Sequence, residues 1–239
     1  MAPIIDVDQH FFEPRTMWRD YIDPAFRDRA LSIDDDELGY AWLTWQGRRL
    51  YLAEVQTPAK AKPIGEMRQR LKRGEPAEHR YDEMLPIEYG DPAARAKTVE
   101  KMGLDAAVLI PNFALLWEDM LSEDIPAVCA NMRACNRWMA SSIAQGEGRL
   151  IGVGHMTLQD PAWALEEIAR LASDGITMAM VGPAGMSALA PSVRPLSPGS
   201  FGDGFYDHCA NIFCFASGDQ FFSICAKFRI RHLDEIQWE

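Results

Sequence analysis

The stretch with the most chemistry in it is Asp6-Val7-Asp8-Gln9-His10-Phe11-Phe12-Glu13-Pro14, close to the start of the chain. Side chains two apart on a β-strand point the same way, so a regular strand here puts Asp6, Asp8 and His10 on one face. Asp8 and His10 fall at the strand's carboxyl end, where open α/β sheets and barrels carry their active sites. A carboxylate oxygen and an imidazole nitrogen at i and i+2 can reach one borderline divalent ion: zinc, manganese or iron. The competing expectation is a polar strand end with a hydrogen-bonded histidine. Both stay open on spacing alone.

Other residues carry weaker signals. Asn112 closes a second apolar run and His155 a third, both at the expected catalytic rim. Substrate contact and plain loop hydrogen bonding fit each of them equally. His208-Cys209 with Cys214 lacks a C-x2-C pair and a fourth ligand, so free core thiols are the better expectation than a zinc site. His79 and His232 sit in charged surroundings and are expected to be solvated. The chain has no G-x-S-x-G, no Gly-rich phosphate loop and no dinucleotide fingerprint.

These residues need elements to hold them, and the apolar pattern supplies them. Strand-like runs occur at Ile4-Ile5-Asp6-Val7-Asp8, at 105–110, at 150–154 and at 176–181, the later ones apolar on both faces as in a buried parallel sheet. Between them lie helical patterns opened by Asp91-Pro92, Ser122-Glu123-Asp124 and Asp160-Pro161, with Gly103 and Gly175 closing the first and third. Strand and helix in alternation predict a parallel α/β sheet with right-handed crossovers. Residues 24–90 interrupt the rhythm. There, runs at 40–45 and 48–52 flank Gln46-Gly47 and predict a hairpin, followed by a basic, helix-compatible stretch from Lys60 to Arg80 that reads as a solvated face.

Without that insertion the chain suffices for about five βα units at roughly 30 residues each. A closed (β/α)8 barrel needs eight strands and typically ~250 residues. The expectation is a partial TIM-type barrel over 1–198, with about five parallel strands and the hairpin/helical insertion 24–90 between strands 1 and 2. The tail 199–239 differs in character. All 15 prolines lie at or before Pro198, whereas seven of the 11 phenylalanines follow it. Ile212-Phe213-Cys214-Phe215 fits a fifth strand, and nothing after it repeats the rhythm.

Composition excludes several classes. With 24 Lys+Arg against 35 Asp+Glu, the net charge of −11 repels nucleic acid and anionic membrane surfaces. No apolar run approaches the roughly 20 residues of a bilayer-spanning helix, and the opening residues do not read as a signal peptide. Five scattered cysteines suit reduced thiols in a cytoplasmic protein.

The run 5–14 resembles the D-x-D-x-H-x-x-E-P opening of amidohydrolase family 2. That branch of the amidohydrolase superfamily includes aminocarboxymuconate-semialdehyde decarboxylase and aromatic-acid decarboxylases. The resemblance continues through 104–112 (Leu104 to Asn112), 131–138 (Asn131 to Trp138) and 154–161 (Gly154 to Pro161), in the same order. It covers residues 4 to about 197.

It implies a (β/α)8 barrel whose first-strand pair binds a divalent metal, here Asp8 and His10, with Asp8 in place of the usual first histidine. It also implies a hydrolase or decarboxylase acting on a small carboxylic or aromatic substrate. Glu13 would support the metal from the following loop, and His155 and Asn112 would line the substrate pocket. The family's remaining ligands are a histidine ending strand five and an aspartate ending strand eight. Arg194-Pro195-Leu196-Ser197 is similar to the segment before strand five, yet Cys214, Ala216 and Ser217 stand where the histidine is expected. A shifted reading frame or premature end after Pro198 would produce this break, and activity is then expected to be impaired. The rival expectation is a non-catalytic partial barrel whose open edge is capped by its tail or by a partner, such as a second copy in a homo-oligomer.

Overall fold

The structure is a computed structural model that describes residues 3–53, 66–83, 85–113, 117–181, 211–215 and 221–225, the last two segments as strand backbone. In chain order the elements are β1 (Ile5–Phe11), α1 (Met17–Tyr21), β2 (Ser32–Asp35), β3 (Ala41–Trp45), β4 (Arg48–Leu52) and α2 (Glu66–Lys72). Then follow α3 (Pro92–Lys101), β5 (Ala106–Pro111), α4 (Ile125–Ile143), β6 (Leu150–Met156), α5 (Pro161–Ser173), β7 (Met178–Val181), β8 (Asn211–Phe215) and β9 (Phe221–Cys225).

The main sheet has the order β1-β5-β6-β7-β8-β9, and its first four strands are parallel. The fold is α/β. Each crossover helix starts on an aspartate whose side chain accepts a backbone N–H: Asp91 from Ala94, Asp124 from Ala127 and Asp160 from Trp163. A proline in the first turn gives up an N–H that would have no partner there anyway. Such capping fixes where each helix leaves the rim of the sheet.

One face of the sheet is covered by helices. Phe11 stacks on Trp138 of α4, with ring centroids 5.2 Å apart. A Cβ at Gly152 would lie 2.6 Å from Met139 Cγ, and one at Gly154 would lie 2.9 Å from both methyls of Leu171. These two glycines let α4 and α5 close onto β6. Gly154→Ala is therefore expected to destabilise the protein by about 1–3 kcal/mol through overpacking. Denaturant melts of the two proteins would check it, and an unchanged midpoint would refute the close approach. The opposite face carries a smaller cluster of Val108, Val153 and Met180, flanked by Ile110, Ile151 and Met178.

The insertion forms a separate antiparallel sheet, β2-β3-β4. Its β3–β4 turn holds Gln46 and Gly47 at φ 49° and 75°, the left-handed pair that matches strand twist in a two-residue hairpin.

Two expectations need correcting. Among the described residues the sheet has four parallel strands, and Asn211–Phe215 forms β8 antiparallel to β7. A parallel neighbour requires a crossover that returns the chain to the same end of the sheet, whereas β8 and β9 run back and forth as a meander and do not extend a barrel. The second correction concerns β1. Asp6 pairs with Ala107 and Gln9 with Leu109, so Val7 and Asp8 together oppose the single residue Val108 in a β-bulge. Asp6 thereby shares a face with Gln9 and Phe11, and not with His10.

Cys129 and Cys135 are free and buried. Residues 194–197, His208, Cys209, Ala216, Ser217 and His232 lie outside the described residues, as does the start of the basic stretch at Lys60, and the side chain of Cys214 is likewise not described. No helix among the described residues is long and apolar enough to cross a membrane.

Candidate active site

The bulge in β1 decides which residues face the side of the sheet away from the helices. His10 pairs with Ile110, whose face also carries Val108. Asp8 Oδ1 lies 4.0 Å from His10 Nε2, and the side chains are 45% and 53% exposed. Two ligands on one ion are about 3.3 Å apart at a tetrahedral angle, given bonds of about 2.0–2.1 Å. A small side-chain rotation brings both donors to that spacing, and neither is held elsewhere by packing. The pair fits two corners of a divalent site.

The backbone beneath the pair is fixed from the helix side. Gln9 is buried, donates to Asp6 Oδ2 at 2.9 Å and accepts from Arg95 Nη1 at 2.9 Å. Arg95, on α3, also donates to the His10 carbonyl at 3.1 Å and to the Glu88 carbonyl at 2.6 Å. Burial holds the Arg95 guanidinium below its ordinary pKa. Asp6 and Gln9 thus position the strand while Asp8 and His10 face out.

Glu13 is placed differently from its neighbours. It is fully buried, its Oε1 accepts from Phe113 N at 2.9 Å, and its backbone carbonyl accepts from Tyr81 Oη at 3.1 Å. Burial pushes its carboxyl up to about 8, against smaller lowering by backbone hydrogen bonds. The hydrogen bond from Phe113 N makes this carboxyl group a tie between the ends of β1 and β5. Asn112 N donates to the Phe11 carbonyl at 3.1 Å in the same junction, and its side chain is half-buried. Among the described residues no three His, Cys, Asp or Glu side chains are grouped to hold a metal. Asp8 and His10 therefore stand as a pair with no third such side chain grouped with them among the described residues.

His155 sits near the end of β6 on the same sheet face as His10, since Ile151 pairs with Val108 and His155 lies four residues further on. It is fully buried against Trp117 in an edge-on contact, centroids 5.3 Å apart and planes at 76°. Burial alone lowers its imidazole to about 3. Its main chain is gripped from behind by Asn136 of α4, whose Oδ1 accepts from His155 N at 2.6 Å and whose Nδ2 donates to His155 O at 2.9 Å. Asn136 also donates to Glu167 Oε1 at 2.8 Å, and against the raising effect of burial the hydrogen bonds from Arg170, Asn136 and Arg133 together hold Glu167 below its ordinary pKa.

Trp117, Glu118 and Asn136 were not legible as site residues. An isolated tryptophan–glutamate pair in an apolar run has no motif, and an asparagine inside a helix reads as solvated.

No protein-family model matches the chain, and no curated protein is similar to it. Among solved structures it is similar to an amidohydrolase, map2389c, from Mycobacterium avium subsp. paratuberculosis K-10. The likeness has a TM-score of 0.52 and 23% identity, over 73% of this chain and 47% of that one. The two share a fold. A 2,6-dihydroxybenzoate decarboxylase from Rhizobium also matches, at 16% identity and a TM-score of 0.35, over 76% of this chain and 38% of that one. The chain spans about half the length of that amidohydrolase.

Proposed function

We propose that the chain is an amidohydrolase-superfamily protein, and that Asp8 and His10 are the first-strand part of its divalent-metal site. The observation that carries this reading is the pair itself. A bulge sets a half-exposed carboxylate and imidazole side by side at the carboxyl end of the first parallel strand, in a fold shared with an amidohydrolase. When bound, zinc, manganese or iron supplies Lewis-acid chemistry, for hydrolysis of a small substrate or for decarboxylation of a carboxylic or aromatic acid. Asp8 and His10 hold the ion, Arg95 keeps the His10 backbone in place, and Asn112 and His155 line the pocket. Glu13 acts one layer further back, as the neutral tie between the two loops. The net charge of −11 favours capture of a cation and disfavours nucleic acid and membrane partners. We place the protein in the cytoplasm.

Catalytic metals usually have three protein ligands, so a two-donor site binds weakly and turnover is impaired unless further donors join. The edge of β1, unpaired among the described residues and with Ile4, Ile5 and Val7 44–60% exposed, favours a second reading in which this edge associates with another copy. Native mass spectrometry with added zinc or manganese separates the two. One ion per chain, lost in both Asp8→Ala and His10→Ala, is the expected result. Equal uptake by the His10→Ala protein would remove the metal reading, and a metal-free dimer would favour the second.

A further inference from the structure

Seven buried side-chain polar atoms have no hydrogen-bond partner among the described residues, and four of them belong to His155, Trp117 and Glu118. Both imidazole nitrogens, the indole Nε1 and Glu118 Oε2 are so placed. A buried polar atom left unpaired costs about 1–3 kcal/mol, and such groups in a native protein call for a ligand, an ion or a water. All three residues lie at the carboxyl rim of the sheet: His155 near the end of β6, Trp117 and Glu118 in the segment after β5. That is where α/β sheets bind ligands.

The chemistry of the atoms narrows the ligand. A neutral imidazole offers one N–H donor and one lone-pair acceptor, and an indole offers a donor only. The surroundings on this face are Val108, Val153 and Met180, and His155 pairs with Met180 across the sheet. Neither imidazole nitrogen of His155 is hydrogen-bonded to a charged side chain. A carboxylate could only accept hydrogen bonds there and would bring an unpaired charge into an apolar site. A hydroxyl both donates and accepts, and carries no charge.

We propose that His155 and Trp117, whose rings meet edge-on, form a subsite for a neutral hydroxyl substituent of the substrate, on the sheet face that also bears Asp8 and His10. This rests on the reading that substrate binds at that face. The hydroxyl accepts from Trp117 Nε1–H and donates to the free nitrogen of His155. Entry parts the 117–121 segment from β6 and its following loop, where Gln159 Nε2 donates to Glu118 Oε1 at 3.1 Å.

The test compares phenol with toluene, its counterpart without the hydroxyl, by calorimetry on the whole chain. The protein is expected to prefer phenol by about ten-fold or more, because a site built for a hydroxyl rejects the analogue lacking it. His155→Leu removes both unpaired nitrogens, so it is expected to melt no lower than the parent and to lose the preference. Trp117→Phe keeps the ring packing, removes one donor and is expected to lower the preference, which covers the case of a His155→Leu chain that does not fold. Phenol and toluene are compared on protein without added metal, so a failure of metal uptake counts against the metal reading alone. Equal binding of phenol and toluene by the parent, or an undiminished preference in Trp117→Phe, would overturn the subsite.

Discussion

Glu13→Gln is expected to hold its stability from about pH 6.5 to pH 8, a range over which the parent protein loses about 2 kcal/mol. Burial places the folded-state pKa of Glu13 at about 8 against an ordinary 4.5. Between those values the folded protein keeps a proton that the unfolded chain has released. Stability from this group is full below 4.5 and falls as pH rises toward 8, by an amount on the order of 4–5 kcal/mol. Glutamine stays neutral, keeps an oxygen to accept from Phe113 N and has no such slope.

His155 acts in the opposite sense. Its folded pKa of about 3 lies below the ordinary 6.5, so the unfolded chain takes up a proton that the folded one refuses. Stability from this group is present above 6.5 and falls as pH drops toward 3, by an amount of the same order. Between 4.5 and 6.5 the two slopes oppose each other, and these two groups together place maximal stability in that window. Urea titrations across pH for parent and Glu13→Gln read the difference directly. A gap between the two proteins that stays constant with pH would mean that Glu13 ionises freely, and the account of its burial would fail.

The second large effect is expected at Asn136. β5 and β6 pair only as far as Leu109 and Gly152, so the backbone groups of His155 lack a strand partner on that side. The Asn136 amide stands in for one, accepting from His155 N and donating to His155 O. Leucine has nearly the same volume and neither polar atom. Asn136→Leu leaves that N–H and C=O buried and unpaired and takes a donor from Glu167, for a loss of about 3–5 kcal/mol. In a chain of this size that corresponds to a fall in Tm of roughly 10–15 °C. Glu167→Gln, which keeps an acceptor for Asn136, is expected to cost less. A melt of Asn136→Leu within a degree or two of the parent would show that the amide contributes nothing to holding β6.

Much of the frame was readable from local signals. Asp91-Pro92 and Asp160-Pro161 mark helix starts because the caps act within three residues, and Gln46-Gly47 marks the hairpin because its left-handed pair suits few other residues. The apolar runs of β5, β6 and β7 were readable because strands buried on both faces need no partner's register to be recognised. The antiparallel course of β8 was not readable, since an apolar run has no direction until its neighbour is known.

At the site the division is sharper. Residue order alone set Asp8 and His10 two apart at the end of a strand. Period-two alternation also grouped Asp6 with them, and that failed because a bulge exists only between two strands: it is the match of Val7 and Asp8 to Val108 that turns Asp6 away. The family resemblance implied that Glu13 supports the metal from the loop after β1, and nothing local in the sequence marks its burial. Its burial comes from a contact 100 residues away, at Phe113 N, and low-dielectric surroundings reverse its protonation. His155 likewise owes its neutral state to being enclosed against Trp117. Residue types and spacing determined which groups could do chemistry. Only tertiary packing decided which of them face the side of the sheet away from the helices and which carry charge, because register and desolvation belong to pairs of distant segments.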